Sequence, residues 1–213
     1  MKIFLDSANL DEIKKVKETG ILDGITTNPT LIANQTKQPE KLLEEISKLT
    51  QVPVLAEPVS TKTEDIIQES LQLAKISEFI VPKIPITEDG LKAVKFLFRK
   101  NIKTAVTLVF SPVQALLVAK TGANYVCPFV GRMDDTGTEG MNFILDIINI
   151  YRNYNFKTEI LVVSVRTINH VLLASQYGVD GISLPFKIIQ QLYKHPLTDI
   201  GIKKFLEDWQ KIK

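Results

Sequence analysis

Eight short runs of apolar and β-branched residues recur along the 213-residue chain, each followed by a longer stretch with helical spacing. They are Lys2 to Leu5, Gly24 to Thr26, Val52 to Ala56, Phe79 to Lys83, Thr104 to Leu108, Tyr125 to Pro128, Glu159 to Ser164 and Gly181 to Leu184. The intervening segments carry apolar residues three and four apart, as in Leu42, Ile46 and Leu49 or Leu91, Val94 and Phe98, which puts one apolar stripe on a helix. Strands alternating with single helices imply parallel pairing and right-handed crossovers. Eight such units in this length predict an α/β fold, a compact (β/α)8 TIM barrel, because an open doubly wound sheet typically has fewer strands.

Helix punctuation agrees with that segmentation. Asn9 is placed to cap the first helix, with Glu12 three residues on as its reciprocal partner and Gly20 to end it. Ser111 before Pro112 is a second helix start. No linker or composition break divides the chain, so residues 1–213 read as one barrel domain, with an added C-terminal amphipathic helix over 199–213. That tail shows Ile202, Phe205, Leu206 and Trp209 on one face. The stripe must be covered by its own barrel, the default expectation, or by a neighbouring subunit.

The 26 basic and 24 acidic residues leave a net charge of +2, which supplies no broad field for nucleic acid or an anionic membrane. An anion site must therefore be local. The single cysteine, Cys127, excludes an intrachain disulfide and fits a reducing compartment. The start MKIFLDSAN turns polar too soon for a signal peptide, and no other segment is apolar for long enough to span a bilayer, so a cytoplasmic protein is expected. Neither GxGxxG nor GxxxxGK occurs, so a dinucleotide or NTP site has no support.

In barrels of this kind the chemistry sits where the strands end, and the polar residues there form a set. Asp6 ends the first strand, Thr26, Thr27 and Asn28 the second, Glu57 the third, Lys83 the fourth and Thr107 the fifth. Arg132 follows the sixth, and Ser164 with Arg166 closes the seventh. Lys83 is the most telling, because it lies inside the apolar run FIVPKIPI, where burying an ammonium is costly unless its charge is used or suppressed. Either the side chain snorkels to water past the strand end, or its amine serves as a nucleophile towards a carbonyl. Two carboxylates, an amine, hydroxyls and two arginines describe carbonyl chemistry on a phosphorylated substrate, with Arg132, Ser164 and Arg166 suited to the phosphate.

Other polar features read as structural. Asp134, Asp135 and Glu139, without His or Cys alongside, suggest a solvated loop and helix cap rather than a metal site. His170 and His195 stand far apart among helical segments and read as surface or packing residues. Pro58 and Pro82 each lack a ladder donor, which predicts that their nitrogens fall at strand ends or bulges.

Five runs, FLDSAN from Phe4, GITTNPTLI from Gly24, PKIPITEDGLKA from Pro82, PFVGRMDD from Pro128 and LEDW from Leu206, are similar to the transaldolase/fructose-6-phosphate aldolase family, with likeness over essentially the whole chain. The resemblance implies a class I Schiff-base enzyme on a (β/α)8 barrel, acting on phosphorylated sugars with no metal and no organic cofactor. It implies Lys83 as the imine-forming lysine and Asp6 as the acid/base. It further implies Glu57 and Thr107 as holders of a catalytic water, and Asn28 as a ligand for substrate hydroxyls. Thr26 and Phe129 complete the expected substrate-binding set. Glu57, where the aldolases tend to carry glutamine, and Phe129, where they carry tyrosine, point to a transaldolase transferring a dihydroxyacetone unit. Fructose-6-phosphate aldolase and a non-catalytic sugar-phosphate-binding barrel remain the alternatives. The resemblance also implies a homo-oligomer, a pentamer or decamer.

Overall fold

The computed structural model describes residues 1–212. Eight parallel strands close a barrel in sequence order: β1 (Lys2–Asp6), β2 (Gly24–Thr26), β3 (Val54–Ala56), β4 (Ile80–Pro85), β5 (Ala105–Val109), β6 (Tyr125–Pro128), β7 (Glu159–Val162) and β8 (Gly181–Pro185). β8 closes onto β1 through five paired positions, from Lys2 with Gly181 to Asp6 with Pro185. Eleven helices follow or separate them among the described residues, so the fold is the expected (β/α)8 TIM barrel with a C-terminal helix added. The main crossovers are α1 (Leu10–Glu18), α3 (Pro39–Thr50), α4 (Thr63–Ile76), α5 (Glu88–Arg99), α6 (Pro112–Thr121), α8 (Asn142–Asn153) and α9 (Ile168–Tyr177). The alternation of one helix per strand is too simple in three places. Short helices α2 (Pro29–Ala33), α7 (Val130–Asp134) and α10 (Phe186–Leu192) occupy loops after β2, β6 and β8, and α11 (Pro196–Gln210) ends the chain.

The caps form much as the residue types dictate. The Asn9 side chain accepts from the backbone N–H groups of Asp11 and Glu12, and that of Ser111 accepts from Gln114 N–H. The reciprocal arm at α1 differs from expectation. The Asn9 backbone N–H donates to Ser7 Oγ at 3.1 Å, and the Ser7 hydroxyl in turn donates to Glu12, so Ser7 stands between the partners of the usual box.

Side-chain alternation along the strands builds two cores. Between strands and helices lie residues such as Leu5, Ile25, Ile84, Val106 and Ile182. Inside the cylinder lie Phe4, Leu55, Val81, Ala105, Tyr125, Cys127 and Leu161. Gly24 belongs to this inner layer for a steric reason: a Cβ there would sit 2.2 Å from the Phe4 ring. Two residues further along each strand the inward position is Asp6, Thr26, Glu57, Lys83, Thr107, Phe129, Val163 and Ser183. On six of the eight strands the apolar filling thus becomes polar in a single step of the pleat, while Phe129 and Val163 keep the β6 and β7 side apolar.

The two prolines resolve differently. Pro58 lies beyond the end of β3, as expected. Pro82 is the third residue of six in β4, not at a strand end, which corrects the expectation. Val54 N–H donates to Phe79 O and Ile86 N–H to Thr107 O, so odd residues of β4 face β3 and even residues face β5. Pairing with β5 begins only at Lys83 with Ala105, so the Pro82 nitrogen faces β5 ahead of its first paired residue.

The C-terminal helix overturns a second expectation. α11 has no buried residue, and Phe205, Leu206 and Trp209 are 73%, 60% and 60% exposed. The barrel of its own chain does not cover the stripe. His195, placed earlier among surface or packing residues, caps this helix by accepting from Leu197 N–H at 3.1 Å. Lys213, the last residue of the expected tail, lies outside the described residues.

Candidate active site at the barrel mouth

A cavity of about 310 Å³ opens at the C-terminal ends of the strands, lined by Asp6, Thr26, Asn28, Glu57, Lys83, Thr107, Phe129, Arg132 and Ser164 among others. Nine of the eleven residues singled out in the sequence meet there, and Thr27 and Arg166 do not line it. A larger and mainly apolar hollow of about 360 Å³ lies behind the loops among α2, α3 and α4 and shares Asn28 and Glu57, but it lacks Lys83. Among the described residues no group of His, Cys, Asp and Glu is arranged to hold a metal ion.

Lys83 is 5% exposed, so it does not snorkel to water. Its charge is met instead by a carboxylate from the neighbouring strand: Lys83 Nζ is hydrogen-bonded and ion-paired to Glu57 Oε1. The apolar run around Lys83 is misleading because Pro82 and Ile84 point outward while Lys83 points into the mouth. A buried pair like this keeps both groups only because each satisfies the other. It also offers the amine a nearby acceptor for its proton.

Asp6 projects from the end of β1, paired in register with Thr26 of β2. Burial is the largest influence on its carboxyl and raises it above the usual carboxylate range. The hydrogen bond from Thr26 and the Lys83 charge pull the other way, and the Glu57 charge adds to the rise. Thr26 Oγ1 donates to Asp6 Oδ1 at 2.8 Å and also lies 2.6 Å from Ser183 Oγ, on β8. Ser183 escaped the sequence reading because one serine inside GISLP looks like ordinary strand filling.

Thr107 is 1% exposed and among the described residues its hydroxyl has no protein partner, although the residue lines the cavity. A backbone irregularity places it. Pairing of β5 with β6 shifts register between Val106 and Val109, and Leu108 has φ +59°, a conformation a leucine adopts only under constraint. Ser164, at the end of the β7 segment, has φ +62°. Two left-handed residues at one mouth mark it as a place where backbone strain is tolerated. Asn28 accepts from Leu31 N–H at 2.9 Å and so caps α2, which holds it at the rim.

The phosphate-type residues are arranged by aromatic and acidic neighbours. The Arg132 guanidinium lies 5.0 Å from the centroid of the Phe129 ring, which packs in turn on Phe110 at 5.4 Å. Arg166 is turned to the loop after α7 and held by Asp135 through both terminal nitrogens, Nη2 to Oδ2 at 2.6 Å. His170 is buried, with Nε2 3.0 Å from Asp134 Oδ2, while Asp134 Oδ1 accepts from Gly140 N–H at 2.8 Å. The acidic cluster read as a solvated loop therefore fastens the loop after β6 to the loop after β7. Gly131 sits at that junction, and a Cβ there would lie 2.2 Å from Ser164 O and 2.9 Å from Arg166 Cγ and Nε.

A closed eight-stranded parallel barrel with a polar cavity at the strands' C-terminal mouth defines a (β/α)8 protein built in the manner of barrel enzymes. The chain belongs to the transaldolase/fructose-6-phosphate aldolase family, whose model matches residues 3–213. It is 56% identical over 213 residues to a protein of Thermodesulfovibrio yellowstonii named probable transaldolase, covering all of both chains. A protein of Aquifex aeolicus with the same name is 54% identical over 212 residues, covering 100% of this chain and 98% of its own. One from Syntrophobacter fumaroxidans, also so named, is 53% identical over 216 residues, covering 100% and 98%. Family and relatives indicate a transaldolase-type enzyme and imply phosphorylated sugar substrates.

Proposed function

We propose that this protein is a transaldolase that moves a dihydroxyacetone unit between sugar phosphates through a Schiff base on Lys83. The observation that carries the reading is the buried Lys83 amine inside the mouth cavity, paired with Glu57 and facing the same space as Asp6. In this mechanism Lys83 passes its proton towards Glu57 and attacks the C2 carbonyl of the ketose, sedoheptulose 7-phosphate or fructose 6-phosphate. Glu57 and a water held by the unpartnered Thr107 hydroxyl move protons during loss of hydroxide from the carbinolamine. The protonated imine draws electrons as the C3–C4 bond breaks, and Asp6 takes the proton of the C4 hydroxyl. The aldose phosphate leaves. The bound enamine then attacks the carbonyl of the acceptor, glyceraldehyde 3-phosphate or erythrose 4-phosphate, and Asp6 returns the proton.

Asn28 and Thr26 hold the three-carbon unit, while Arg132 and Ser164 hold the phosphate. Arg166 joins them by exchanging its Asp135 partner for substrate oxygens, a change of side-chain partner with no change of backbone. Transfer is favoured over release because Phe129 offers the enamine no acidic hydroxyl. The exposed α11 stripe supports assembly as a homo-oligomer, and a buried, unpaired Cys127 thiol, pushed up to about 12 by burial, suits a cytoplasmic setting.

The test is fructose 6-phosphate supplied alone and then with erythrose 4-phosphate. A transaldolase stalls after one turnover until the acceptor arrives, whereas steady release of free dihydroxyacetone identifies the aldolase. Binding with no covalent intermediate at all identifies the non-catalytic barrel.

A further inference from the structure

We infer that Ser183 is a positioning residue for the acid/base carboxylate, the far end of a hydroxyl chain from Ser183 through Thr26 to Asp6 that fixes where the protons lie. The inference rests on the proposed role of Asp6 in carbon–carbon cleavage. Its basis is a count of donors and acceptors. Thr26 has one hydroxyl proton and two neighbouring oxygens, Asp6 Oδ1 at 2.8 Å and Ser183 Oγ at 2.6 Å. A carboxylate cannot donate, so the only arrangement that serves all three groups has Thr26 giving its proton to Asp6 and Ser183 giving its own to Thr26. Among the described residues Thr26 is the only side-chain hydrogen-bond partner of Ser183.

Both residues are buried: Thr26, which lines the cavity, is 3% exposed and Ser183, which does not, is 2% exposed, on the strands either side of β1. Buried hydrogen bonds in series polarise one another, so donation from Ser183 strengthens the bond from Thr26 to the carboxylate. The charged groups that face Asp6 from the other side are Lys83 on β4 and Glu57 after β3. Lys83 favours the carboxylate and Glu57, its ion-pair partner, opposes it, so the two influences run in opposite directions. The hydroxyl chain is thus the part of the surroundings that favours the anion without taking part in imine chemistry. Burial works against the anion, so losing the chain makes Asp6 easier to protonate.

The experiment measures the acid limb of the pH profile of single-turnover cleavage of fructose 6-phosphate. It uses the full-length wild type, Ser183→Ala, Ser183→Thr, Thr26→Val and the Thr26→Val/Ser183→Ala double variant. Removing a hydrogen bond to a charged group moves a limb by about 1 to 2 pH units, so Thr26→Val shifts it upward by that amount. Ser183→Ala shifts it upward by a few tenths of a unit, because only the polarisation is lost. Ser183→Thr keeps the hydroxyl and holds the wild-type limb. In the Thr26→Val background Ser183→Ala adds nothing, an outcome that simple loosening of the barrel would not produce. An unmoved limb in Ser183→Ala, or an equal shift with and without Thr26, overturns the inference. Trapping of the substrate on Lys83 by borohydride in the wild type reports separately on the proposed function: an adduct with an unmoved Ser183→Ala limb leaves that function standing and removes only the chain.

Discussion

Gly131→Ala tests how the two halves of the proposed phosphate hold depend on each other. The new methyl carbon would stand 2.2 Å from the Ser164 carbonyl oxygen, more than 1 Å inside ordinary contact, and 2.9 Å from two atoms of Arg166. The obstructing oxygen is backbone, so no side-chain rotation relieves the clash. Gly131 N–H donates to that same oxygen at 3.0 Å, and separation breaks this bond. Overpacking costs about 1–3 kcal/mol, and the lost hydrogen bond adds about 1 kcal/mol. The sum of about 2–4 kcal/mol lowers the melting temperature of a chain this size by about 4–16 °C at roughly 2–4 °C per kcal/mol.

Function should suffer more selectively than stability. Ser164 is already at φ +62°, and a shift of its carbonyl turns its side chain and that of Arg166 away from a common anion. Loss of one charge-assisted contact, about 1.5–3 kcal/mol, weakens binding by about 10- to 150-fold. The assays are a thermal melt, inhibition by inorganic phosphate, and KM for erythrose 4-phosphate against unphosphorylated glyceraldehyde. A variant that melts with the wild type and keeps its phosphate inhibition would refute the reasoning. So would an equal rise in KM for both acceptors, because the contact at issue is with phosphate alone.

Asp6→Asn is expected to abolish transfer and to stabilise the fold at pH 7. Burial raises the folded carboxyl, so the native state above that range carries an anion it disfavours; the gain is full at neutral pH and disappears as pH falls below the unfolded value of about 3.9. Denaturant melts at pH 7 and pH 3.5 check the sign, and a destabilised variant at pH 7 contradicts it. Phe129→Leu removes the ring under Arg132, and at about 0.5–1 kcal/mol it raises KM for phosphorylated acceptors about two- to fivefold with kcat little changed; a loss confined to kcat would refute the stacking role. Phe205→Glu places a charge in the centre of the α11 stripe, and sedimentation should show a smaller assembly with intact secondary structure. An unchanged assembly size would mean that this helix is not an interface.

Much of the fold was legible because the strand period survives in the residues themselves. Phe4 and Asp6, Leu55 and Glu57, and Val81 and Lys83 are pairs in which one pleat step carries the chain from core to mouth, and the polar member betrays the strand end. Lys83 was legible as an anomaly, but its partner was not. Glu57 lies 26 residues away, and only the adjacency of β3 and β4 brings the two together. Arg166 reads in the sequence as a phosphate ligand closing the seventh strand with Ser164, yet the 31-residue separation from Asp135 hides the carboxylate that holds it aside. The bulge at Leu108 leaves no mark in AVTLV, since the left-handed backbone is imposed by the register with β6 rather than by a glycine. The α11 stripe was visible, but which body covers it is a matter of the helix's direction away from the barrel.

The most direct measurement is borohydride reduction of the full-length protein in the presence of fructose 6-phosphate, followed by peptide mass mapping. The account predicts one reduced sugar-derived adduct, on the peptide carrying Lys83, absent from Lys83→Met and absent without borohydride. Rapid sugar cleavage with no adduct on that peptide, or an adduct that persists in Lys83→Met, would contradict it.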